Sequence, residues 1–429
     1  MLGGGTWTSQ NKVLPGIYIN FVSLTRNGLS IADRGYVALP LATNWGADIT
    51  TIKIEDFEKD ALKLTGYLYS DDNNKPLREI FRHAHTIYLG RLNGGGVKAS
   101  CTYGEAKFAG TRGNDLKIVI TANVDDNTKY DVVSYLGTEK IDSQVVAEAS
   151  NLVDNDYIVY DKEATLAETA GTSFTGGTNE TVTTSSHQAF LDKIESYSFN
   201  ALICDSSDSD IKTLYVNFTK RLRDSIGIKF VTVLFSKAAD YEGCKNVTTK
   251  ATEGNEKLVY WFGGMEAGCA INKSCANKVY DGEYTPVIDL TQEQLIQSIN
   301  NGEMVLHKVG PEIRVLEDKN SLTTTTDSKG DDFKDAQTIR IIDQIGNDMA
   351  NIFNTRYNSE VPNDKDGRVS LQSDIVKLYK EYQKNRAIED FDSEDIKVEQ
   401  GEKKDSVTID APVTIINCMK KAYMRVVIA

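Results

Sequence analysis

The histidines are the first residues in the chain whose type could do chemistry, because imidazole binds metals and carries protons near neutral pH. Four are present in 429 residues, and only His83 and His85 stand close together. Residues i and i+2 point to opposite faces of a strand and do not share a face of a helix. The spacing therefore favours surface or core histidines, and we expect neither a metal nor a cofactor here.

Two further motifs resemble ligand-binding loops without completing them. Gly94-Gly95-Gly96 is followed by Val97, and the segment lacks the spacing of a phosphate or dinucleotide loop, so we interpret it as a linker. The run Asp364-Lys365-Asp366-Gly367 matches the middle of a calcium loop. In that register the first and twelfth ligand positions fall on Pro362 and Ser373, so the strongest carboxylate ligands are missing.

Nucleophilic catalysis finds equally little support. No GxSxG nucleophile elbow is present, and the carboxylates are scattered as on a solvated face. We therefore predict that the chain is not an enzyme. An α/β hydrolase-like enzyme in the region Ala189 to Val309 stays open as an alternative, because a triad is defined by geometry.

Composition limits the partners. A formal net charge of −14 without a long basic block argues against nucleic-acid binding. The best apolar run, Ile228 to Phe235, is short and carries Lys229, so no membrane span is expected. Met1 to Lys12 has no secretory signal, and the six cysteines include no CxxC pair, which indicates reduced thiols in a cytoplasm.

The chain length suggests roughly two to four domains. Short alternating runs between Val97 and Glu180 predict a small all-β module. Buried strands at Ala201 to Cys204 and Ile228 to Phe235 flank an amphipathic helix at Asp210 to Ile226, which is typical of a parallel α/β sheet. A further helix is predicted from Ala189 to Ser196. Thr291 and Gln294 form a predicted capping box for the helix Gln292 to Asn300, and Gly302 terminates it.

Two long helices are predicted in the last part of the chain. Within Phe333 to Tyr357 an apolar stripe includes Ile339, Ile342, Ile345 and Met349. The second helix buries Leu371, Ile375, Leu378 and Tyr382. Short strands follow near Ile396 to Val398 and Val407 to Ile409.

Both ends of the chain have the period-two alternation of a strand. The N-terminal segment follows Pro15-Gly16, and the C-terminal one ends the chain without a turn or a partner strand. The candidate strand residues are Val13, Ile17, Tyr18, Ile19 and Phe21 at one end and Tyr423, Met424, Arg425, Val426, Val427 and Ile428 at the other. Unpaired edges accept other chains. From the pattern alone, the two ends either pair with neighbouring molecules or pair with each other in one subunit.

Several segments resemble contractile phage tail sheath proteins, in the family's order. They are GGGTWTSQNKVLPGIYINF (Gly3 to Phe21), AKFAGTRGNDLKIVI (Ala106 to Ile120), FTGGTN (Phe174 to Asn179), AGCAINKSCANKVYDGEY (Ala267 to Tyr284) and VTIINCMKKAYMRVVIA (Val413 to Ala429). The chain departs from the family at Glu317 to Leu322, where an Asp-Ile-Asn-Thr-Leu run is common, and at Ser359-Glu360, where Gly-Lys is common.

The resemblance implies an α+β multidomain fold with an inserted β-sandwich, a subtilisin-like α/β domain without proteolytic activity, and a C-terminal domain completed by exchanged terminal strands. The expected segments are an arm strand, an N-terminal α/β segment, the sandwich, the subtilisin-like domain and the C-terminal domain with its terminal arm, at residues 1–24, 25–96, 97–180, 181–320 and 321–429.

The implied function is that of a structural subunit. Many copies would polymerise helically around an inner tail tube, with baseplate and collar proteins as further partners, in a virion or phage-tail-like particle assembled in the bacterial cytoplasm. Contraction would drive the tube through a bacterial envelope. Four basic residues are candidate tube contacts: Lys377, Lys380, Lys384 and Arg386. Besides the hydrolase, a receptor-binding surface protein using residues 97–180 is the other alternative.

Overall fold

A computed structural model describes residues 31–389 and 391–428. Within them the chain forms two compact units: a larger unit of residues 33–358 and 414–428, and a smaller unit of residues 31–32, 359–389 and 391–413. None of the helices in the described ranges is long and apolar enough to cross a membrane.

The strands of the described residues are β1 (Tyr36–Leu41), β2 (Ile49–Lys53), β3 (Thr86–Arg91), β4 (Lys98–Cys101), β5 (Gly104–Ala109), β6 (Leu116–Ala122), β7 (Tyr130–Leu136), β8 (Glu139–Val146), β9 (Ile158–Tyr160), β10 (Thr169–Ser173), β11 (Ala201–Cys204), β12 (Val231–Phe235), β13 (Cys244–Val247), β14 (Glu303–Met304), β15 (Leu306–Val309), β16 (Glu312–Val315), β17 (Lys397–Gln400) and β18 (Val407–Asp410). The α-helices are α1 (Ile54–Thr65), α2 (Lys75–Phe81), α3 (Thr184–Ile194), α4 (Ser209–Lys220), α5 (Val259–Gly268), α6 (Gln292–Asn300), α7 (Ala336–Ile352) and α8 (Lys365–Lys384).

A seven-stranded sheet in the order β14-β13-β12-β11-β1-β3-β2 is the centre of the larger unit. All neighbouring strands are parallel except β2, which is antiparallel to β3. The predicted parallel α/β arrangement is confirmed, and strands from before and after the inserted module share one sheet. Strands β11 and β12 are buried throughout, which is why their sequences are almost continuously apolar.

The inserted module consists of two antiparallel sheets, β10-β6-β7-β8 and β4-β5-β9, as predicted for a β-sandwich. Its core includes Leu116, Ile118 and Ile120, which are the inward-facing residues of β6. Trp45 belongs to the loop between β1 and β2 but packs in this core, with its ring 5.3 Å from that of Phe108. The side chain of Trp45 is therefore part of the sandwich core although it belongs to the α/β region.

The two connections to the sandwich run side by side. The backbone N–H of Thr178 donates to the carbonyl of Val97 at 3.0 Å. A Cβ at Gly96 would lie 1.9 Å from the carbonyl oxygen of Thr178, so only glycine fits this close approach. Nearby, the buried Arg91 donates to the carbonyls of Gly46 and Ala109. The five-segment division of the chain stays a prediction. Two of its boundaries, after residues 96 and 180, lie near these two connections.

In the smaller unit, α8 buries the predicted stripe of Leu371, Ile375, Leu378 and Tyr382. Strands β17 and β18 form a two-stranded antiparallel hairpin in which Val398 lies opposite Ile409. The hydroxyl of Tyr379 donates to the carbonyl of Ala411 just after β18, at 3.0 Å. These contacts hold the hairpin to α8 within the unit.

The predicted apolar stripe of α7 is only partly correct. Ile339 is buried, but Ile342, Ile345 and Met349 are half-buried. The buried face carries polar side chains instead, including Arg340 and Asp343. Apolar periodicity misses this face, since it does not anticipate charges that are buried because they are paired.

Candidate assembly surface

The last residues of the described chain, 421–428, form an exposed segment that we call the C-terminal arm. Within the described chain it belongs to no helix or strand and makes no hydrogen bond or ion pair. Arg425 is exposed. The large apolar side chains of the arm are 69% to 93% exposed, and they are Tyr423, Met424, Val426, Val427 and Ile428. Soluble monomers rarely expose contiguous apolar groups in this way. The strand pairing of these residues stays a prediction.

The predicted N-terminal strand residues, Val13, Ile17, Tyr18, Ile19 and Phe21, lie outside the described residues. Pairing of the two chain ends within one subunit is therefore not tested. The C-terminal arm has no partner strand among residues 31–389 and 391–428.

Just before the arm, residues 416–420 are bound to the start of α7. The backbone N–H of Cys418 donates to Oε1 of Gln337 at 3.0 Å, and Nε2 of Gln337 donates to the carbonyl of Ile416 at 3.3 Å. The ammonium of Lys420 lies 2.7 Å from Oε1 of Glu317 and also contacts Asp335. The chain thus changes from bound to exposed at Lys420.

The β17–β18 hairpin offers edges that such an arm could join. It has no third strand among the described residues. A two-stranded hairpin is marginal alone, and further strands or packing against a helix stabilise it. Free backbone donors and acceptors on a strand edge are the chemistry that β-augmentation uses.

The four predicted tube-contact residues are all exposed. Lys377, Lys380 and Lys384 share one face of α8, since their spacing is three and then four residues. Two of them have carboxylate neighbours on the same helix, with Lys377 2.9 Å from Asp374 and Lys384 3.5 Å from Glu381. Arg386 follows the end of α8 in the left-handed region, with φ of 58°. These four exposed side chains form a basic surface, and its contact with a tube stays a prediction.

Sequence reasoning missed a buried charge network beneath the arm's attachment. Nζ of Lys245 on β13 lies 2.6 Å from Oε2 of Glu266 on α5 and 2.7 Å from Oδ1 of Asp318. Arg340 on α7 donates to both carboxylates, at 2.6 and 3.2 Å. Arg34 reaches Glu266 at 3.5 Å. The network joins α7 to the central sheet.

The electrostatics of the network keep its carboxylates ionised. Burial alone would raise the pKa of Glu266, but Arg340 and Lys245 lower it to about 2. Asp318 follows the same pattern, and its pKa is held well below its ordinary value. Glu266, Asp318 and Cys275 present ligand atoms within 4.8 Å of one another. Lys245 and Arg340 already occupy the carboxylates, so the arrangement works as an ion network and not as a metal centre.

Two thiols complete this region. Nη2 of Arg340 lies 3.7 Å from Sγ of Cys275. A hydrogen bond from Cys275 lowers the pKa of Cys269 to about 7, against the effect of burial, and Arg340 acts in the same direction.

A local signal for this network exists in the sequence. Lys245 lies in a buried strand, and Glu266 is the only charged residue in the helix sequence VYWFGGMEAG. A single charge in an otherwise apolar element indicates burial with a partner, since unpaired buried charges are very costly. The pattern does not identify the partners, which are distant in sequence.

The two adjacent histidines contact different groups. Nε2 of His83 lies 3.2 Å from Oδ1 of Asp281, and its ring packs edge-on against Trp261. Burial, with Lys278, lowers the pKa of His83 to about 4. Nε2 of His85 is hydrogen-bonded to the carbonyl oxygen of Arg34 at 2.9 Å. These contacts are structural, and the two imidazoles do not face one common site.

Three family models match consecutive stretches that together span more than half of the chain. The phage tail sheath protein beta-sandwich domain matches residues 94–179, the central domain matches 180–321, and the phage tail sheath C-terminal domain matches 328–429. The chain belongs to the phage tail sheath protein family. The resemblance drawn from the sequence is confirmed.

Proteins with similar sequences or structures match nearly the full length of this chain. The phage-like element PBSX protein XkdK of Bacillus subtilis is 30% identical over 99% of both chains. The sheath tail protein of Desulfitobacterium hafniense is 32% identical with a TM-score of 0.81, over 96% of this chain and 99% of that one. The anti-feeding prophage helical sheath in its contracted state, at 13% identity and a TM-score of 0.54 over 97% and 99%, shares the fold. Tail sheath proteins are structural parts of phage tails or tail-like particles.

Proposed function

We propose that this chain is the subunit of a contractile tail sheath in which each molecule donates its terminal arms to neighbouring copies. Many copies polymerise helically around an inner tube, and contraction drives the tube through a bacterial envelope. The exposed apolar C-terminal arm carries this proposal, because its side chains have no partner in the described chain.

The acceptor is the open β17–β18 hairpin of a neighbour. An added strand would pair with a free edge of the hairpin and would cover apolar arm residues that are now in water. If the two arms of a subunit make about eight intermolecular backbone hydrogen bonds, each worth about 0.5–1.5 kcal/mol, they contribute about 4–12 kcal/mol. Links of this kind hold a lattice together while compact bodies move between packing arrangements.

The basic face of α8 is the proposed tube contact. Lys377, Lys380 and Lys384 project from one side of the helix, and Arg386 extends the basic surface at its end. An acidic surface on the tube would complement this face. Baseplate and collar proteins are the proposed partners at the two ends of the sheath, and the particle assembles in the bacterial cytoplasm.

The proposed role is structural and not enzymatic. A serine hydrolase would react with a fluorophosphonate probe, so incubation of the purified chain with such a probe tests the alternative. Covalent labelling of a serine would count against a purely structural role. We expect no labelling above that of a heat-denatured sample.

A proline substitution in the arm tests strand donation. Val426→Pro removes one backbone donor and bends the arm away from a strand conformation, whereas Val426→Thr keeps the donor and a β-branched side chain. Negative-stain electron microscopy should show hollow cylinders for the wild type and for V426T, and dispersed particles for V426P. Equal polymerisation of both variants would refute strand donation by this arm.

Deletion of residues 422–429 is the more severe version of the same test. The truncated chain should remain folded and monomeric in gel filtration, since residues 422–428 are exposed and make no hydrogen bond or ion pair within the described chain. Cylinders formed by the truncated chain would show that contacts other than the C-terminal arm build the polymer.

A further inference from the structure

Several hydrogen bonds and ion pairs hold the chain where the C-terminal arm leaves the larger unit. We define the arm clamp as Glu317, Asp335, Gln337 and Thr338 together with the segment 416–420 that they hold. We propose that the arm clamp fixes the exit point of the arm and so limits its reach to a neighbouring subunit. This inference rests on the proposed function as a strand-donating sheath subunit.

Lys420 is the positioning residue of the clamp. Its ammonium lies between carboxylates from two different elements, 2.7 Å from Glu317 and in contact with Asp335. The three side chains are only 18%, 18% and 21% exposed. Salt therefore screens these ion pairs less than it screens surface pairs. Burial opposes the charge of Lys420, but the two carboxylates raise its pKa above the ordinary value.

Asp335 has a second role that makes its position rigid. It is the N-cap of α7, and its Oδ1 accepts hydrogen bonds from the backbone N–H groups of Gln337 and Thr338 at 2.9 and 3.2 Å. Its other oxygen contacts Lys420. A lysine close to a helix N-terminus is unfavourable by itself, so the carboxylates are needed to hold it there.

The segment before Lys420 is fixed by the same helical turn. Gln337 binds the backbone of Ile416 and Cys418, and Nδ2 of Asn417 donates to Oγ1 of Thr338 at 3.1 Å. Sγ of Cys418 lies 3.6 Å from the carbonyl of Asn272. Four of the five residues from 416 to 420 therefore contact the body of the unit.

The clamp is joined to the core through α7 itself. One turn further along this helix, Arg340 is paired with Glu266. Asp343 is paired with Arg223 at 2.5 Å, and that pair is also buried. Tension applied to the arm by a neighbour would pass through Lys420 to α7 and from there to the central sheet.

The clamp has a geometric consequence for the lattice. Tyr423, where the proposed arm strand begins, is three residues after Lys420, so their Cα atoms are at most about 11 Å apart in an extended chain. Release of residues 416–420 would lengthen this reach by roughly 18 Å. In every state of the sheath, the acceptor residue that pairs with Tyr423 must therefore lie within about 16 Å of Lys420, because paired strands are about 5 Å apart.

A pair of adjacent lysines gives a matched test. Lys420→Met removes the clamp charge and keeps the side-chain length, whereas Lys421→Met removes the same charge one residue later, where the side chain is exposed and has no ion pair in the described chain. Amide hydrogen exchange of the full-length variants, compared in one assembly state, reports on Cys418, whose backbone N–H is hydrogen-bonded to Gln337. We expect exchange about tenfold faster or more in K420M, no change in K421M, and retained protection in K420R.

Equal exchange in K420M and K421M would overturn the clamp. Glu317→Gln, which leaves Asp335 in place, should give a smaller increase than K420M, and this variant decides the case if K420M does not fold. The exchange experiment does not depend on polymerisation. Failure of the wild type to form cylinders would refute the proposed function, whereas an unchanged exchange pattern would refute the clamp alone.

Discussion

Replacement of one carboxylate in the buried network should destabilise the fold strongly. Glu266→Gln keeps the shape of the side chain and removes its charge. Three cations and two carboxylates form the network, so the variant leaves three cations facing Asp318 alone. Removal of one partner from a buried ion pair typically costs about 3–5 kcal/mol, because the other charge remains buried without compensation.

The depressed pKa of Glu266 gives a second route to the magnitude. A pKa lowered from 4.5 to about 2 corresponds to roughly 3 kcal/mol of stability. Because the folded state has the lower pKa, this stability is fully present above about pH 4.5 and is lost as the pH falls towards 2. The Glu266→Gln variant should lack this part of the pH dependence.

Urea unfolding followed by tryptophan fluorescence is a suitable assay, since Trp261 lies on the same helix as Glu266. The control is Glu312→Gln, which removes a surface carboxylate paired with Arg314 and should cost less than about 1 kcal/mol. Equal unfolding midpoints for the two variants, or an unchanged slope of stability between pH 4.5 and 2, would refute the reasoning.

Three further perturbations have expected outcomes. Trp45→Ala should lower stability by about 3–5 kcal/mol, and limited proteolysis should then cut the sandwich first; uniform resistance would contradict the role of Trp45. Asp343→Asn leaves the guanidinium of Arg223 buried with a neutral partner, so calorimetry should show a lower melting temperature at pH 7, and an unchanged one would contradict a stabilising pair. Lys380→Glu with Lys384→Glu, which leaves the pair of Lys377 with Asp374 intact, should change the melting temperature little and abolish co-sedimentation with the tube protein; unaltered co-sedimentation would exclude this helix face as the contact.

Local signals predicted the elements whose ends are determined within a few residues. The capping box of Thr291 and Gln294 forms as predicted, and α6 has the predicted bounds. Strand β11 was also predicted with its observed ends. Helix α3 was predicted from Ala189 to Ser196 but begins at Thr184, because Thr183 and Ser186 form a capping box without the usual Glu or Gln.

Elements that depend on distant partners were predicted less well. Strand β13 was not predicted, because Lys245 interrupts its apolar pattern, and the partners that allow its burial are far along the chain. The buried face of α7 was misassigned for the same reason. The bound state of residues 416–420 was also missed, because their side chains carry no strong local pattern and their contacts are with Gln337 and Glu317.

The two connections between the β-sandwich and the α/β region lie side by side, so the sandwich can be exchanged as one unit. Because Val97 and Thr178 are hydrogen-bonded neighbours, shortening or exchanging the inserted module leaves the register of the seven-stranded sheet intact. Trp45 sets the condition for such an exchange, since an indole from the α/β region would lose its apolar surroundings. A replacement module, natural or engineered, must therefore present an apolar pocket to this ring.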